Sequence, residues 1–336
     1  MKRKLLKKPY LGLLLGIGLI SSGLFGNTLL EVKTIAISQI IEHEALNETY
    51  RGIIEELEAE GYVGDKKVKI VYETAQGSPL IAAQIAQKFV SIQPDVMVGI
   101  GTIAAQALVG ANKRSGKPIV FSSVTDPVGA QLVASLSEPG AGVTGVTNWI
   151  KLEPQIEKFQ QILPKLKRLG IVYNPGEGNS VILVSRLKDT ARQMGIEITE
   201  SPATATMEVG MAAKHIAHKV DAFFISNDNT VLSAFESVVG VANDAGIPVF
   251  VSDINKVQSG AVAALGPDQY EIGRQTGKMI VEILKGTSPA KMPVEFPKKT
   301  EFYLNLDALK RLHIQVPSTL LQEADKIINN SGSGKR

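Results

Sequence analysis

The sequence predicts an α/β protein built from two similar lobes, each a doubly wound parallel sheet. Short apolar strands alternate with amphipathic helical segments along most of the chain. The strands are apolar throughout, which is typical of sheets covered on both faces. The first half carries DVMVGIGT and then GKPIVFSSVTD, and the second half repeats this pattern as DAFFISNDNT and GIPVFVSD. At 336 residues the chain is long enough for two such lobes.

Residues 1–26 are predicted to be an export signal. Five cationic residues within the first eight positions precede an uncharged apolar run from Tyr10 to Phe25. This run is shorter than the roughly 20 residues that cross a bilayer, so cleavage near Gly23 to Gly26 is favoured over a permanent anchor. Without the five leader charges the formal net charge falls from +3 to −2, which gives no reason to expect a nucleic-acid partner. We therefore expect a periplasmic or other extracytoplasmic protein.

Cysteine is absent from the sequence. Structural disulfides, thiolate catalysis, Cys-ligated metal sites and a lipid-modified amino-terminal Cys are therefore excluded.

The amino-terminal lobe is predicted from residues 31–147 and 263–288. Its expected elements are strands at 33–38, 68–72, 96–98, 119–121, 131–135 and 143–146, and helices at 43–61, 78–90 and, after a Gly99-Ile100-Gly101 turn, from Thr102. A further strand at 260–265 and a helix at 270–284 complete the set. The elements follow one another as right-handed parallel units, so the carboxyl ends of the strands share one edge.

The carboxyl-terminal lobe is predicted from residues 148–262 and 289–328. Its expected helices are at 154–163, 181–194, 207–218, 232–245, 306–312 and 317–328, and its strands are at 169–173, 197–201, 221–225 and 248–251. Three crossovers, near 146–148, 252–253 and 289–297, are expected to form a hinge about which the lobes close. Residues 329–336 are expected to be a disordered tail.

Thr102 lies where a strand meets a helix through a glycine turn. The N–H groups of Thr102, Ile103 and Ala104 at the helix start could hold a carboxylate. The alternative is a tight turn in which Thr102 only caps the helix. The glycines also match a dinucleotide fingerprint, but the next strand ends in Ser122-Ser123 where an acidic residue is required, so nucleotide binding is not favoured.

Polar side chains also follow the strands of the second lobe. Asp228-Asn229-Thr230 ends one strand and Asp253 ends the next, which suits a ligand ammonium. The alternative for the first group is a helix cap. His43-Glu44 follows the first strand at the same sheet edge, and the alternative for this pair is a solvated loop. The expected ligand-binding residues are Gln39, Glu44, Thr102, Ile103, Ala104, Ser122, Ser123, Thr125, Asp126, Asn148, Asn174, Asp228, Asn229, Thr230 and Asp253.

Catalytic and metal motifs are not evident. His215 and His218 lack a third ligand, the terminal GSGKR lacks the strand and helix of a phosphate loop, and neither GxSxG nor HExxH occurs. We therefore expect neither an enzyme nor a cofactor nor a metal site.

Several short motifs carry a resemblance to a known family. These are His43-x-x-Leu46, Gly101-Thr102-x-Ala104-Ala105, the run from Pro118 to Gly129 that contains VTDP, Pro139-Gly140 to Val146, Leu163-Pro164, Asp228-Asn229-Thr230-Val231, Ile247 to Phe250 and Gly286-x-x-Pro289-Ala290. Over residues 31–328 the sequence resembles the bacterial ABC-transporter substrate-binding proteins of the family with tryptophan-binding and related amino-acid-binding members. It departs from the Gram-positive members in lacking a lipobox cysteine.

The resemblance implies a type I periplasmic-binding-protein fold with a ligand between the lobes. It implies a monomer that delivers an apolar or aromatic amino acid to the permease subunits of an ABC importer. The ligand carboxylate would lie on Thr102 and Thr125 and its ammonium against Asp228, Asp253 or Glu44, although the opposite polarity stays open. The alternatives are a ligand-sensing binding protein or an exported α/β enzyme acting on a small molecule. A cytoplasmic regulator is disfavoured because the chain begins with a leader rather than a helix-turn-helix.

Overall fold

The computed structural model describes residues 32–63 and 68–329. The predicted export signal and the tail from residue 330 onward lie outside these residues. Within the described part of the chain, no helix is both long and apolar enough to span a membrane.

Two separate sheets organise the described residues. In chain order the strands are β1 (Lys33–Gln39), β2 (Val68–Thr74), β3 (Val96–Ile100), β4 (Ile119–Val124), β5 (Val143–Thr147), β6 (Arg168–Tyr173), β7 (Glu197–Pro202), β8 (Ala222–Ile225), β9 (Val249–Val251), β10 (Ala263–Pro267), β11 (Thr300–Asn305) and β12 (Lys326–Ile328). The first sheet has the order β2-β1-β3-β4-β5 and is entirely parallel. The second has the order β12-β11-β10-β9-β8-β6-β7 and is antiparallel between β10 and β11. The predicted fold class is confirmed.

Helices cover both faces of these sheets. They are α1 (Glu44–Ala59), α2 (Pro79–Ser91), α3 (Thr102–Asn112), α4 (Leu152–Ile162), α5 (Gly178–Gln193), α6 (Val209–Ile216), α7 (Asn229–Ser233), α8 (Phe235–Ala245), α9 (Gln269–Leu284), α10 (Leu306–Arg311) and α11 (Ser318–Glu323). The first sheet with α1, α2, α3 and α9 forms the amino-terminal lobe. The second sheet with the remaining helices forms the carboxyl-terminal lobe.

The second sheet has a core on each face. Phe224 and Phe250 lie in one core, where the ring of Phe250 stacks on Phe159 with centroids 4.3 Å apart. Their strand neighbours Phe223 and Val251 lie in the core on the opposite face. Successive strand residues point to opposite faces, so burial of both explains why these strands are apolar without alternation.

The placement of β10 corrects a predicted lobe boundary. Residues 263–267 were assigned to the amino-terminal lobe, but β10 pairs with β9 through Ala263 and Phe250, and with β11 through Ala263 and Leu304. Because its backbone hydrogen bonds are made inside the second sheet, the assignment of this strand to the first lobe is wrong. The chain returns to the first lobe with α9. The second crossover therefore lies between Pro267 and Gln269, and not at Ser252-Asp253 as predicted.

Two further segments differ from their predicted forms. Residues 131–135 form a turn and not a strand, since Gln131 has a left-handed backbone (φ +58°). The single helix predicted at 317–328 is α11 followed by β12. The reason is that Asp325 pairs with Phe302: its N–H donates to the Phe302 carbonyl, and its carboxylate accepts from the Phe302 N–H at 2.8 Å.

Glycines bring α1 and α9 into close contact. A Cβ added to Gly52 would lie 2.2 Å from the carbonyl oxygen of Tyr270, and one added to Gly273 would lie 2.1 Å from the carbonyl oxygen of Thr49. Both obstacles are backbone atoms, which cannot move aside as a side chain can. The contact matters for the site because α9 places Gln269 at the edge of the first sheet.

We expect Gly273→Ala to lower the free energy of unfolding by about 1–3 kcal/mol, because the added methyl group forces the two helices apart. Urea denaturation followed by circular dichroism measures this change. The control is Gly240→Ala in α8, where an added Cβ meets no atom within 4 Å. That variant should be stabilised by roughly 0.5–1 kcal/mol through the helix preference of alanine. Equal stability of the two variants would contradict the close packing.

Candidate functional site

The carboxyl ends of the two sheets face each other across a narrow space, here called the interlobe gap. Its lining residues are His43, Ala45, Leu46, Gly101, Thr102, Ser123, Thr125, Asn148, Asn179, Asn227, Asn229, Leu232 and Gln269. The free volume of the gap is only about 10 Å³. Small-molecule sites typically enclose about 300–1,000 Å³, so the lobes are closed on each other here.

Four long helices begin at the interlobe gap. One residue from the first turn of each lines it: Ala45 of α1, Thr102 of α3, Asn179 of α5 and Gln269 of α9. The first turn of a helix has unpaired N–H groups and the positive end of the helix dipole. The start of α3 is the one of these four with no acidic residue at its cap or in its first turn, so it is the most favourable place for an anionic group such as a carboxylate.

Glycines allow α3 to start at this position. Gly101 has φ +88°, and a Cβ there would lie 2.7 Å from Cγ2 of Ile40. The alternative in which Thr102 only caps the helix is wrong, because Gly101 is the N-cap and Thr102 is the first helical residue. Its side chain is buried and lines the gap. Ala104 belongs to the hydrophobic core and Ile103 packs against that core, so neither side chain lines the gap.

A bulge at the end of β4 turns Ser123 toward the gap. Ser123 has a left-handed backbone (φ +55°), and the β4–β5 register shifts at this residue. Its hydroxyl donates to Oε1 of Gln269 at 2.7 Å and lies 3.0 Å from the Thr49 hydroxyl. Ser122 instead contacts the hydroxyl of Thr276 on α9 at 2.7 Å, so its predicted place in the site is not supported.

Thr125 and Asn148 lie together at the first crossover. The Thr125 hydroxyl donates to Oδ1 of Asn148 at 3.1 Å, and both residues line the gap. They connect the end of the first sheet to the chain that enters the second lobe.

Glu177, at the N-cap of α5, organises the opposite wall. This buried carboxylate accepts five hydrogen bonds, from the N–H and Nδ2 of Asn229 (3.0 and 2.6 Å), the N–H and hydroxyl of Thr230 (2.9 and 2.7 Å) and Nδ2 of Asn179 (3.2 Å). Asn229 then places its Oδ1 3.2 Å from Nε2 of His43, in the other lobe. The Glu177 carboxylate therefore holds together the loops that follow β6 and β8.

Asp228 is a buried cap and does not line the gap. Its carboxylate accepts from the N–H groups of Asn174 (2.6 Å) and Val231 (2.8 Å) and from the hydroxyl of Ser180 (2.5 Å). Burial, together with the negative charge of Glu177, raises the pKa of Asp228 to about 7. Asn174 donates its Nδ2 to Thr230 at 2.8 Å. The predicted contacts of Asp228, Asn174 and Thr230 with a ligand are not supported, since their polar groups build the support behind the gap.

Three other predicted residues also lie outside the gap. Asp253 caps a short 3-10 turn by accepting from the Asn255 N–H at 3.1 Å, and burial raises its pKa to about 6. Glu44 accepts from Gln258 of the other lobe at 2.9 Å. Gln39 donates to the Ile41 carbonyl at 2.8 Å.

A larger cavity of about 440 Å³ adjoins the gap and shares Thr102 and Asn179 with it; we call it the side cavity. Its other lining residues are Gln106, Asp126, Gly129, Ala130, Gly178, Val181, Ile182 and Ser185. Beside it, Arg186 of the second lobe pairs with Asp126 of the first at 2.7 Å, and its guanidinium lies 4.4 Å from the ring centre of Trp149. Asp126 is thus at the side cavity and in an ion pair between the lobes.

The structure brings five of the predicted residues together at the gap: Thr102, Ser123, Thr125, Asn148 and Asn229. Sequence reasoning omitted His43, Glu177, Asn179 and Gln269 from the ligand-binding set. Glu177 and Asn179 follow the Asn174-Pro175-Gly176 turn after a predicted strand, which was an available signal. The sequence carried no signal for Gln269, because its position at the gap depends on the crossover that leads into α9. Among the described residues, no group of three His, Asp or Glu side chains could hold a metal ion.

Comparison with known proteins identifies the family. The family model for "ABC transporter substrate binding protein" matches residues 34–328. A tyrosine-binding protein of Clostridioides difficile (strain R20291) is 36% identical over 283 residues, which cover 84% of this chain and 81% of that protein.

Two solved structures are similar at 33% identity. An ABC domain from Streptococcus pneumoniae in complex with L-Trp matches with a TM-score of 0.85, covering 88% of this chain and 99% of that one. The ligand-free, open structure of a Clostridium difficile substrate-binding protein with adhesive properties matches with a TM-score of 0.68, covering 89% and 100%. At equal identity, the lower score with the open structure agrees with the closed arrangement of the lobes seen here. The chain belongs to the ABC transporter substrate-binding protein family.

Proposed function

We propose that this protein is an extracytoplasmic substrate-binding protein that delivers an aromatic amino acid to the permease subunits of an ABC importer. The observation that carries the proposal is the interlobe gap, where four helix starts and a ring of uncharged polar side chains meet between two lobes. The predicted export signal supports the extracytoplasmic location. Family members bind solutes, which favours a binder over the exported enzyme considered from the sequence.

The carboxylate of the ligand is assigned to the first-lobe wall of the gap. Thr102 begins α3 and brings its hydroxyl and N–H groups to this wall. The hydroxyl hydrogens of Ser123 and Thr125 are already donated to Oε1 of Gln269 and Oδ1 of Asn148, so these two residues shape the wall without donating to the ligand. Among the described residues that line the gap, His43 alone is ionisable. A carboxylate would therefore be held by hydroxyl and N–H dipoles rather than by an ion pair, as happens at other helix N-termini.

The side chain of the ligand is assigned to the side cavity. Its volume of about 440 Å³ lies within the usual range for small-molecule sites, and Val181, Ile182 and Ala130 give it apolar walls. Asp126, which lines the cavity, pairs with Arg186, and the guanidinium of Arg186 lies over the ring of Trp149. An aromatic side chain agrees with the names of the relatives, one a tyrosine-binding protein and one solved with L-Trp.

We expect the purified protein to bind L-tyrosine or L-tryptophan and Thr102→Val to weaken that binding about 10- to 100-fold. The variant keeps the shape of the side chain but loses a hydroxyl that faces the ligand carboxylate, and a hydrogen bond to a charged group contributes about 1.5–3 kcal/mol. Titration calorimetry measures both affinities. The control is Thr287→Val, an exposed threonine that does not line the gap, which should bind as the parent does. Unchanged affinity in Thr102→Val would contradict this carboxylate site.

The lobes must separate before a ligand can enter, because the closed gap has room for about 10 Å³. We expect small-angle scattering to show a smaller radius of gyration with ligand than without it. An unchanged radius at saturating ligand would count against hinge closure.

Arg186→Gln removes the ion pair between Asp126 and Arg186, which exists only while the lobes are closed. Since this pair is partly exposed, its loss should weaken ligand binding only about two- to fivefold.

A further inference from the structure

We propose that the ligand's ammonium group is held by two hydrogen-bond acceptors, Nδ1 of His43 in the first lobe and Oδ1 of Asn179 in the second. This inference rests on the proposed function and adds to it a residue-level site for the amino group. It replaces the expectation that Asp228, Asp253 or Glu44 receives that group.

Both atoms are buried polar atoms without a hydrogen-bond partner among the described residues. His43 is 7% exposed and Asn179 is 4% exposed, and both line the interlobe gap. Buried polar atoms are nearly always paired in folded proteins, and leaving one unpaired costs about 1–3 kcal/mol. Two such atoms on opposite walls of one gap indicate that a ligand group completes them.

The hydrogen bonds of Glu177 determine that Nδ1 of His43 is an acceptor. A carboxylate can only accept, so the Asn229 atom 2.6 Å from it must be the Nδ2 donor. The opposite atom, Oδ1 of Asn229, is then an acceptor and lies 3.2 Å from Nε2 of His43. Nε2 must therefore carry the hydrogen, which leaves a lone pair on Nδ1 of the neutral ring.

The same reasoning fixes the orientation of Asn179. Its Nδ2 donates to the carbonyl oxygen of Asn227 at 2.9 Å and to Glu177 at 3.2 Å, and both of these partners can only accept. Its unpartnered atom is therefore the carbonyl oxygen, again an acceptor.

Two acceptors require a ligand group that donates at least two hydrogen bonds. An ammonium donates three, whereas a carboxylate would face two lone pairs and be repelled. The negatively charged carboxylate of Glu177 lies behind these two acceptors. It accepts hydrogen bonds from Asn179 and from Asn229, and Asn229 in turn accepts from His43. This negative charge favours a cation at this end of the gap. Because the acceptors come from different lobes, one ammonium would contact both only when the lobes are closed.

Binding at this site depends on pH through the protonation state of His43. Burial, and secondarily the charge of Lys256, lowers the pKa of His43 to about 4, while the hydrogen bond to Asn229 opposes the shift. Lys256 itself lies 3.9 Å from Glu44 and 3.7 Å from Glu236. At pH 7 the ring is neutral and Nδ1 can accept. We expect separation of the lobes to expose the ring to water and return its pKa toward the ordinary value of about 6.5, so closure below that pH would require loss of a proton.

The test compares each amino acid with its analogue that lacks the amino group. Titration calorimetry at pH 7.5 uses L-tyrosine against 3-(4-hydroxyphenyl)propionate and L-tryptophan against indole-3-propionate. In the parent, the amino acid of the preferred pair should bind at least about 10-fold more tightly than its analogue. In His43→Leu and in Asn179→Leu this ratio should fall toward one, mainly through loss of amino-acid affinity.

Two further variants separate the site from general damage. His43→Asn should retain part of the preference for the amino acid over its analogue, because the side-chain oxygen of the new asparagine can occupy the position of Nδ1. Thr102→Val, which changes the proposed carboxylate site in the same gap, should weaken both ligands by the same factor and leave the ratio unchanged. Unaltered ratios in the His43→Leu and Asn179→Leu variants, with the parent binding amino acids, would overturn the ammonium site alone. A parent that binds neither amino acid would overturn the proposed function as well.

A pH series on the parent provides a measurement that does not depend on how the leucine variants fold. Amino-acid affinity should fall as the pH drops below about 6.5, by up to tenfold per unit until about pH 4. His43→Asn retains Asp228 and Asp253, which also have raised pKa values, but lacks the imidazole. Its affinity should therefore lose the part of the pH dependence that belongs to His43. Identical pH profiles in the parent and His43→Asn would overturn the role of the ring.

Discussion

The five hydrogen bonds accepted by Glu177 are the interaction on which the geometry of the site depends. They tie the start of α5 to the loop after β8, two segments about fifty residues apart in sequence. The same bonds orient the amides of Asn179 and Asn229, and through Asn229 they set the tautomer of His43 in the other lobe. A buried carboxylate without such partners would be strongly destabilising. Here the five hydrogen bonds offset the cost of its burial, and they also fix the arrangement of the wall.

The sequence predicted the sheets and part of each wall of the site because both follow from local patterns. Apolar strands that alternate with helices require parallel sheets, and the carboxyl ends of such strands share an edge. Thr102, Thr125 and Asn229 each follow a strand and Ser123 lies near the end of one, so their meeting at the gap follows from their position in the chain. The strand assignment of 263–267 to the first lobe was wrong because a single strand carries no signal for which of two similar sheets it joins.

Side-chain direction is what the sequence could not supply. Asp228 and Asp253 end strands at the correct edge, yet both turn back to cap the segments that follow them. A carboxylate near unpaired N–H groups of its own chain finds partners there at little entropic cost, which is why Asp is common at such caps. Gln269 could not be assigned at all, since it reaches the gap through the crossover into α9 and the close contact of α9 with α1. A residue whose position in the fold depends on distant parts of the chain leaves no local pattern in the sequence.

The uncharged lining of the gap suits a protein that must release what it binds. A side-chain ion pair across the closed gap would have to be desolvated on closing, and such pairs give an uncertain net gain. Neutral acceptors and helix dipoles instead leave the ligand's own two charges as the main charges inside the gap. Between the lobes, the ion pair of Asp126 with Arg186 is partly exposed to water and contributes little. Glu44 of the first lobe also lies 3.9 Å from Lys256 and accepts a hydrogen bond from Gln258 of the second. The closed arrangement should therefore depend on these contacts, on the hydrogen bond between His43 and Asn229, and on the ligand itself, which bonds to both lobes at once.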